Sequence, residues 1–240
     1  MDTRLALVLP AEARVFGSMC IVACLVACSV IQPARMSLPE AFSASASSYK
    51  VQGINGGTRG EFHLNNLPGS YRRSASRLEV FDVYDGRSST LSFNFDGILA
   101  DCSAKERQLN FGDVNFSPKP MAYACDFEQS GDAPGGRLEL QEAREPPPGA
   151  FAQRQRRGEF RYDQRLLKIR SVHSVQGSPL EVNLPIGYTF ELEGRLIGAV
   201  ETNGGVTLIL DDSAPADARL AAALAALALG LLWDTGEYDT

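Results

Sequence analysis

Two histidines, His63 and His173, are the only imidazoles in the 240-residue chain. Each sits in a strand-like stretch, Arg-Gly-Glu-Phe-His-Leu and Arg-Ser-Val-His-Ser-Val. A zinc site or a Ser-His-acid triad would need one of them with partners at fixed spacing. Neither lies in a His-Glu-x-x-His pattern, and no Gly-x-Ser-x-Gly elbow supplies a nucleophile. Both therefore read as residues on a strand surface. Ser47-Ser48-Tyr49-Lys50 has the Ser-x-x-Lys spacing of acyl-enzyme nucleophiles but lacks the Ser-Asp-Asn and Lys-Thr-Gly segments that complete such a site. Glycines 53, 56, 57 and 60 precede the strand-like Glu61-Phe62-His63-Leu64, not a helix, which suits a hairpin better than a phosphate loop. Asp82, Asp85, Asp96 and Asp101 cluster near hairpin ends and leave one route to carboxylate chemistry, although acids are commonplace in turns. No catalytic residue, metal ligand or cofactor site is assigned, and the chain reads as a non-enzyme.

One basic stretch stands out: Arg154, Arg156, Arg157, Arg161, Arg165, Lys168 and Arg170, with Phe160 and Tyr162 interleaved. Arginines so placed could face anionic headgroups, lipopolysaccharide phosphates or an acidic protein. The competing reading is a solvated strand face. Net charge is −6, which disfavours a phosphate backbone as partner, so no nucleic acid is expected.

The N-terminus has a secretory layout. Arg4 and Arg14 lead an uncharged stretch that ends Leu25-Val26-Ala27-Cys28, too short for a comfortable membrane span. That ending resembles the lipobox of bacterial lipoproteins. The resemblance covers about thirty residues and implies cleavage before Cys28, lipid on its sulfur and an acyl group on its new amino terminus. The alternative is an uncleaved anchor reaching to about Ile31. With residues 1–27 removed and Cys28 lipidated, only Cys102 and Cys125 of the five cysteines remain. An exported pair is expected to form a disulfide. Ser29, not aspartate, follows Cys28. By resemblance to enterobacterial lipoproteins this favours the outer over the inner membrane, facing the periplasm.

These features must be positioned by the rest of the chain. Residues 28–48 are small, polar and proline-containing, and read as a flexible tether. From Tyr49 the pattern has period two: Leu91, Phe93, Phe95; Leu138, Leu140; Leu180, Val182, Leu184; Ile186, Tyr188, Phe190, Leu192; Val206, Leu208, Leu210. Turn signals separate these runs at Asn55-Gly56-Gly57, Asp85-Gly86, Asp96-Gly97, Gly135-Gly136 and Asn203-Gly204-Gly205. The proline run at 145–150 marks a loop or a subdomain boundary. Near the end, Leu220, Leu224, Leu227 and Leu231 form a helical stripe over 214–233, with Asp211-Asp212-Ser213 as N-cap and Gly236 as terminator. Leu229 lies off that stripe.

The expected fold is mainly β, with antiparallel sheets in a sandwich or open barrel and one C-terminal helix packed on the sheet. Residues 1–27 are the signal, 28–48 the tether and 49–240 the domain. The expected role is an envelope lipoprotein that binds or scaffolds, held by lipid on Cys28, with an envelope protein or anionic lipid as partner. Carriage of a lipid or small apolar ligand, and an enzyme with a carboxylate site, are the alternatives.

Overall fold

Period-two alternation leaves each strand with one apolar face, and a sheet carrying such faces must cover them. This chain does so by rolling the sheet into a closed barrel around its own C-terminal helix. The computed structural model describes residues 33–80, 84–111, 114–129, 135–143 and 153–233. Twelve antiparallel strands are present: β1 (Ala46–Gln52), β2 (Arg59–Leu64), β3 (Leu67–Val80), β4 (Tyr84–Phe95), β5 (Ile98–Phe111), β6 (Val114–Gln129), β7 (Gly136–Glu142), β8 (Arg156–Tyr162), β9 (Arg165–Val172), β10 (Gly187–Leu192), β11 (Arg195–Glu201) and β12 (Thr207–Asp211). Each pairs with its chain neighbours, and β1 closes the ring. Its first five residues pair with β12, Ala46 opposite Asp211, and its last two with β2, Val51 opposite Leu64. The sheet is therefore neither a sandwich nor an open barrel. Closure removes the two edge strands an open sheet would expose.

Connections alternate between the two ends. The odd-numbered strands end, and the even-numbered strands begin, at what we term the upper end; the opposite ends of the strands form the lower end. At the lower end, Asp96-Gly97 forms the expected hairpin with φ of 53° and 76°. Asp85-Gly86 does not turn: it lies within β4, opposite Glu79 and Leu78. The 180–184 alternation forms no strand either. It belongs to the β9–β10 connection, where Ser174 bridges Glu181 and the backbone N–H groups of Val182 and Arg154 donate to His173 O and Asn183 O. The proline run at 145–150 falls outside the described residues. β7 and β8, on either side of it, pair directly from Gly136–Tyr162 to Glu142–Arg156, so both belong to one barrel.

Residues 36–48 do not behave as the expected tether. Met36 bridges Val175, helix α1 (Glu40–Ser43) follows, and β1 starts at Ala46. Met36 and Phe42 are buried with Ala199 in a small satellite core on the barrel's outer side. Two bulky side chains in a polar segment suffice to fasten it.

Helix α2 (Ala216–Leu231) occupies the lumen. Ala218, Ala221–Leu229 and Leu231 are all buried, Leu229 included, because a helix enclosed by a barrel has no solvent face. Its alanines admit close approach of the wall: a Cβ on Gly198 would stand 3.1 Å from the Cβ of Ala222. No side chain caps its N-terminus. Asp211 and Ser213 instead build the turn before it, and Asp217 in the first turn accepts a hydrogen bond from Arg165 Nε at 2.7 Å. Beside the helix a belt of rings fills the lumen, Phe62 to Phe95 at 6.0 Å, Phe93 to Phe127 at 6.0 Å and Phe127 to Phe160 at 4.8 Å. Cys102 and Cys125, directly opposed on β5 and β6 with Cα atoms 3.9 Å apart, form the expected disulfide inside the wall. Closing a 23-residue separation contributes about 3 kcal/mol. Among the described residues no helix is long and apolar enough to cross a membrane.

Because Leu229 is enclosed like Leu224, Leu229→Ala should cost as much as Leu224→Ala, about 2–5 kcal/mol each. Urea unfolding of the chain without residues 1–28 measures both. A Leu229→Ala midpoint equal to that of the parent would show that the helix keeps a free face.

Candidate functional site

The lumen changes character towards the upper end. Below, its lining is Phe, Leu, Ile and Tyr; above, the inward positions of β3, β4, β5, β7 and β8 carry charge. Asp85, Arg87, Glu106 and Arg156 are all buried, all but Arg87 within 1% of full enclosure. Asp85 accepts from Arg87 Nη2 at 2.6 Å and from Arg77 Nε at 3.2 Å. Arg154 bridges β5 and β7: its Nη2 donates to Glu106 and its Nε to Glu142 Oε2 at 2.9 Å. Arg156 Nη1 donates to Tyr188 Oη at 2.9 Å. Among the described residues, five arginines (73, 77, 87, 154 and 156) and three carboxylates (85, 106 and 142) meet in this layer. Ser89 marks its floor. It is 2% exposed, faces inward between Arg87 and Leu91, and its Oγ has no hydrogen-bond partner.

Arg73 joins the layer to the helix. Its Nη1 donates to the carbonyl of Leu231 at 3.0 Å, while Nε and Nη2 donate to the carbonyls of Gly57 and Asn55. Its guanidinium also stacks over Trp233, 4.6 Å from the ring centroid. Tyr123 Oη donates to the carbonyl of Ala228 at 2.8 Å.

Burial pushes the Asp85 carboxyl up, but hydrogen bonds from Arg87 and Arg77 outweigh it and hold the group below its ordinary range. His173 is buried, not on a strand surface as expected; His63 is exposed on β2. The Val182 carbonyl can only accept, so His173 Nδ1–H donates to it at 3.0 Å and Nε2 accepts from Ser171 Oγ at 3.0 Å. Burial, with Arg156 nearby, lowers the His173 pKa. The imidazole is neutral and fully engaged.

The arginine surface expected from sequence is divided. Arg157 and Arg161 are exposed on β8, beside Glu159 of the same strand and Glu139 and Lys168 of the neighbouring strands. Arg165 is held by Asp217. Arg154 and Arg156 turn into the barrel, because β8 alternates and Arg156 shares the inward phase of Phe160. The acids do not converge either. Asp85 is inside, Asp96 is at a lower hairpin, Asp101 faces outward and receives Ser92 Oγ, and Asp82 falls outside the described residues. Cys28 likewise falls outside them. Among the described residues no three His, Cys, Asp or Glu side chains are grouped to hold a metal ion. At the lower end an apolar cleft of about 260 Å³ opens between the first turns of α2 and Leu64, Leu67, Phe95 and Leu210.

Sequence reasoning missed the charged layer. The signal was available in the alternation of β4, where Asp85, Arg87 and Ser89 continue inward the phase of Leu91, Phe93 and Phe95.

Asp85 and His173 both bind fewer protons folded than unfolded, so each contributes stability that is lost as pH falls: His173 below its ordinary 6.5, Asp85 below 3.8. Urea midpoints should therefore fall in two stages from pH 8 to pH 3. Asp85→Asn should cost about 3–5 kcal/mol at pH 7 by leaving a buried guanidinium opposite a neutral amide, and should shrink the lower stage, to which Asp211 and Asp217 also contribute. A variant as stable as the parent would show that the layer does not hold the barrel. No family model, curated protein or solved structure matches this chain.

Proposed function

We propose that this chain is a lipid-anchored envelope protein that binds an anionic small ligand at the charged upper end of its barrel and does not transform it. The observation that supports the reading is the division of the lumen: a filled apolar body beneath a layer of arginines and carboxylates that ends on the unpartnered Ser89 hydroxyl. The mouth of a barrel is a common place for a ligand. Guanidinium groups favour phosphate or carboxylate. Export is supported by the signal-like N-terminus and the Cys102–Cys125 disulfide. Carriage of a lipid has less support. The lower cleft, at about 260 Å³, lies below the range of drug-sized ligand sites. Carboxylate catalysis has less still, since Asp85, Asp96 and Asp101 lie apart.

Ser89→Ala separates binding from folding, because the hydroxyl makes no hydrogen bond within the fold. The probe is inorganic pyrophosphate, against sodium chloride at matched ionic strength, read as a rise in the thermal midpoint. The parent should be stabilised by pyrophosphate. Ser89→Ala should be at least as stable without it, and should bind it about five- to tenfold more weakly for the loss of one hydrogen bond. No shift in the parent, or an equal shift in both, would place anion recognition elsewhere or nowhere.

A further inference from the structure

The chain between the lipid and the barrel is short, and it reaches the barrel at one end. Ala34 O accepts from Asn203 Nδ2 at 2.8 Å, Arg35 O from Gln176 N at 2.8 Å, and Met36 N donates to Glu201 Oε1 at 2.7 Å. Ser37 N donates to Ser174 O at 2.9 Å. All four partners lie in or beside the β9–β10 and β11–β12 connections, at the upper end. Gly187 leaves the space that Met36 fills: a Cβ there would stand 2.6 Å from Met36 Sδ. The chain is therefore fixed from residue 34 onward.

Six residue steps separate Cys28 from Ala34, at most about 20 Å of extended chain. β11 alone, seven residues at about 3.3 Å each, is at least as long as that. A lipid on Cys28 therefore holds the β9–β10 and β11–β12 connections closer to a bilayer than the lower hairpins. The upper end carries features suited to a lipid surface. Leu180 is 73% exposed, the most exposed of the large hydrophobic side chains among the described residues. It lies in the β9–β10 connection that hydrogen-bonds to Arg35 and Ser37, and Arg35 is itself exposed. Leu78, at 62%, lies near the upper tip of β3. An exposed apolar side chain and a cation on the same rim suit the boundary between headgroups and acyl chains.

From this we infer that the upper end of the barrel docks on the bilayer surface, with Leu180 as its apolar contact and Arg35 among the headgroups. The inference rests on the lipid anchor proposed above. It adds that the charged mouth opens towards the membrane that carries the anchor.

The test uses the full, lipidated chain in phosphatidylcholine vesicles with brominated acyl chains. Trp233 is the only tryptophan, so Leu180→Trp and Leu99→Trp are compared in a Trp233→Phe background. Leu99 sits by the lower hairpin at Gly97. Quenching should be several-fold stronger at position 180. A Gly/Ser spacer of about twenty residues inserted before Ala34 should weaken it, by freeing the barrel to tumble. Hydroxyl-radical footprinting of the unsubstituted protein gives the same reading without a tryptophan change: vesicles should protect Leu180 and not Leu99. Equal quenching and equal footprints at the two positions, in protein that co-floats with vesicles and carries acyl mass on Cys28, would overturn the docking while leaving the anchor standing. Absence of both flotation and acyl mass would overturn the anchor and the docking together.

Discussion

A helix that ends inside a barrel leaves its last carbonyls without helical partners and beyond the reach of bulk water. In this chain two side chains of the wall supply the donors: Tyr123 reaches Ala228 O and Arg73 reaches Leu231 O. Arg73 also places a positive charge at the negative end of the helix dipole. Without them α2 would carry the cost of buried, unsatisfied acceptors, of order 1–3 kcal/mol each. With them the helix fixes how wide the barrel must be, and the alanines on it fix how closely β8 to β12 can approach. The aromatic belt then fills what the helix leaves.

The charged layer follows from the same geometry. Strands β3 to β6 run 12 to 16 residues, against seven for β7 and β8. Among the described residues their inward positions beyond the end of the helix include Asp85 and Arg87 on β4 and Glu106 on β5. Charges there are tolerated because they meet in pairs: Arg87 and Arg77 on Asp85, Arg154 between Glu106 and Glu142. Such pairs add little net stability over apolar packing, although breaking one is costly. Their worth in this barrel is positional. Arg154 ties β5 to β7 on the inner side of the wall, and Arg73 ties the β1–β2 connection to the end of α2. A ligand that displaced one arginine from its carboxylate would therefore be felt in both the wall and the helix.

Much of the architecture was legible in alternation. Leu91-Phe93-Phe95, Leu138-Leu140 and Val206-Leu208-Leu210 each give an inward face, and the leucines near the end give a helix within two residues of its bounds. The closure of the sheet was not legible, because it depends on how β1 divides its length between β12 and β2, which no local pattern encodes. Nor was the enclosure of α2. Leucines at 220, 224, 227 and 231 suggest a stripe, yet the alanines between them are equally buried, and alanine reads as neutral in a sequence. The arginines at 154 and 156 misled for a related reason. A charge run suggests a wet surface, and only strand phase reveals that Arg156 faces the same way as Phe160.

The sidedness of the wall bears on how this barrel meets a membrane. A barrel that spans a bilayer turns apolar residues outward and keeps a polar lumen. Here the order is reversed. Phe62, Phe93, Phe127, Phe160 and Phe190 point inward, while Arg72, Ser92, Asn94, Glu139, Arg157 and Lys168 face out. Exposed hydroxyl ladders, Ser74 to Thr90 and Ser76 to Ser88 at 2.8 Å each, line the outer side of the β3–β4 ribbon. Embedding that surface in hydrocarbon would cost roughly 2–4 kcal/mol for each arginine or lysine near the midplane. The described wall therefore does not suit a bilayer span, which leaves the chain before Ala34 and the rim as two routes to a membrane surface. The two routes converge, because residues 34–37 are hydrogen-bonded to the rim that carries Leu180.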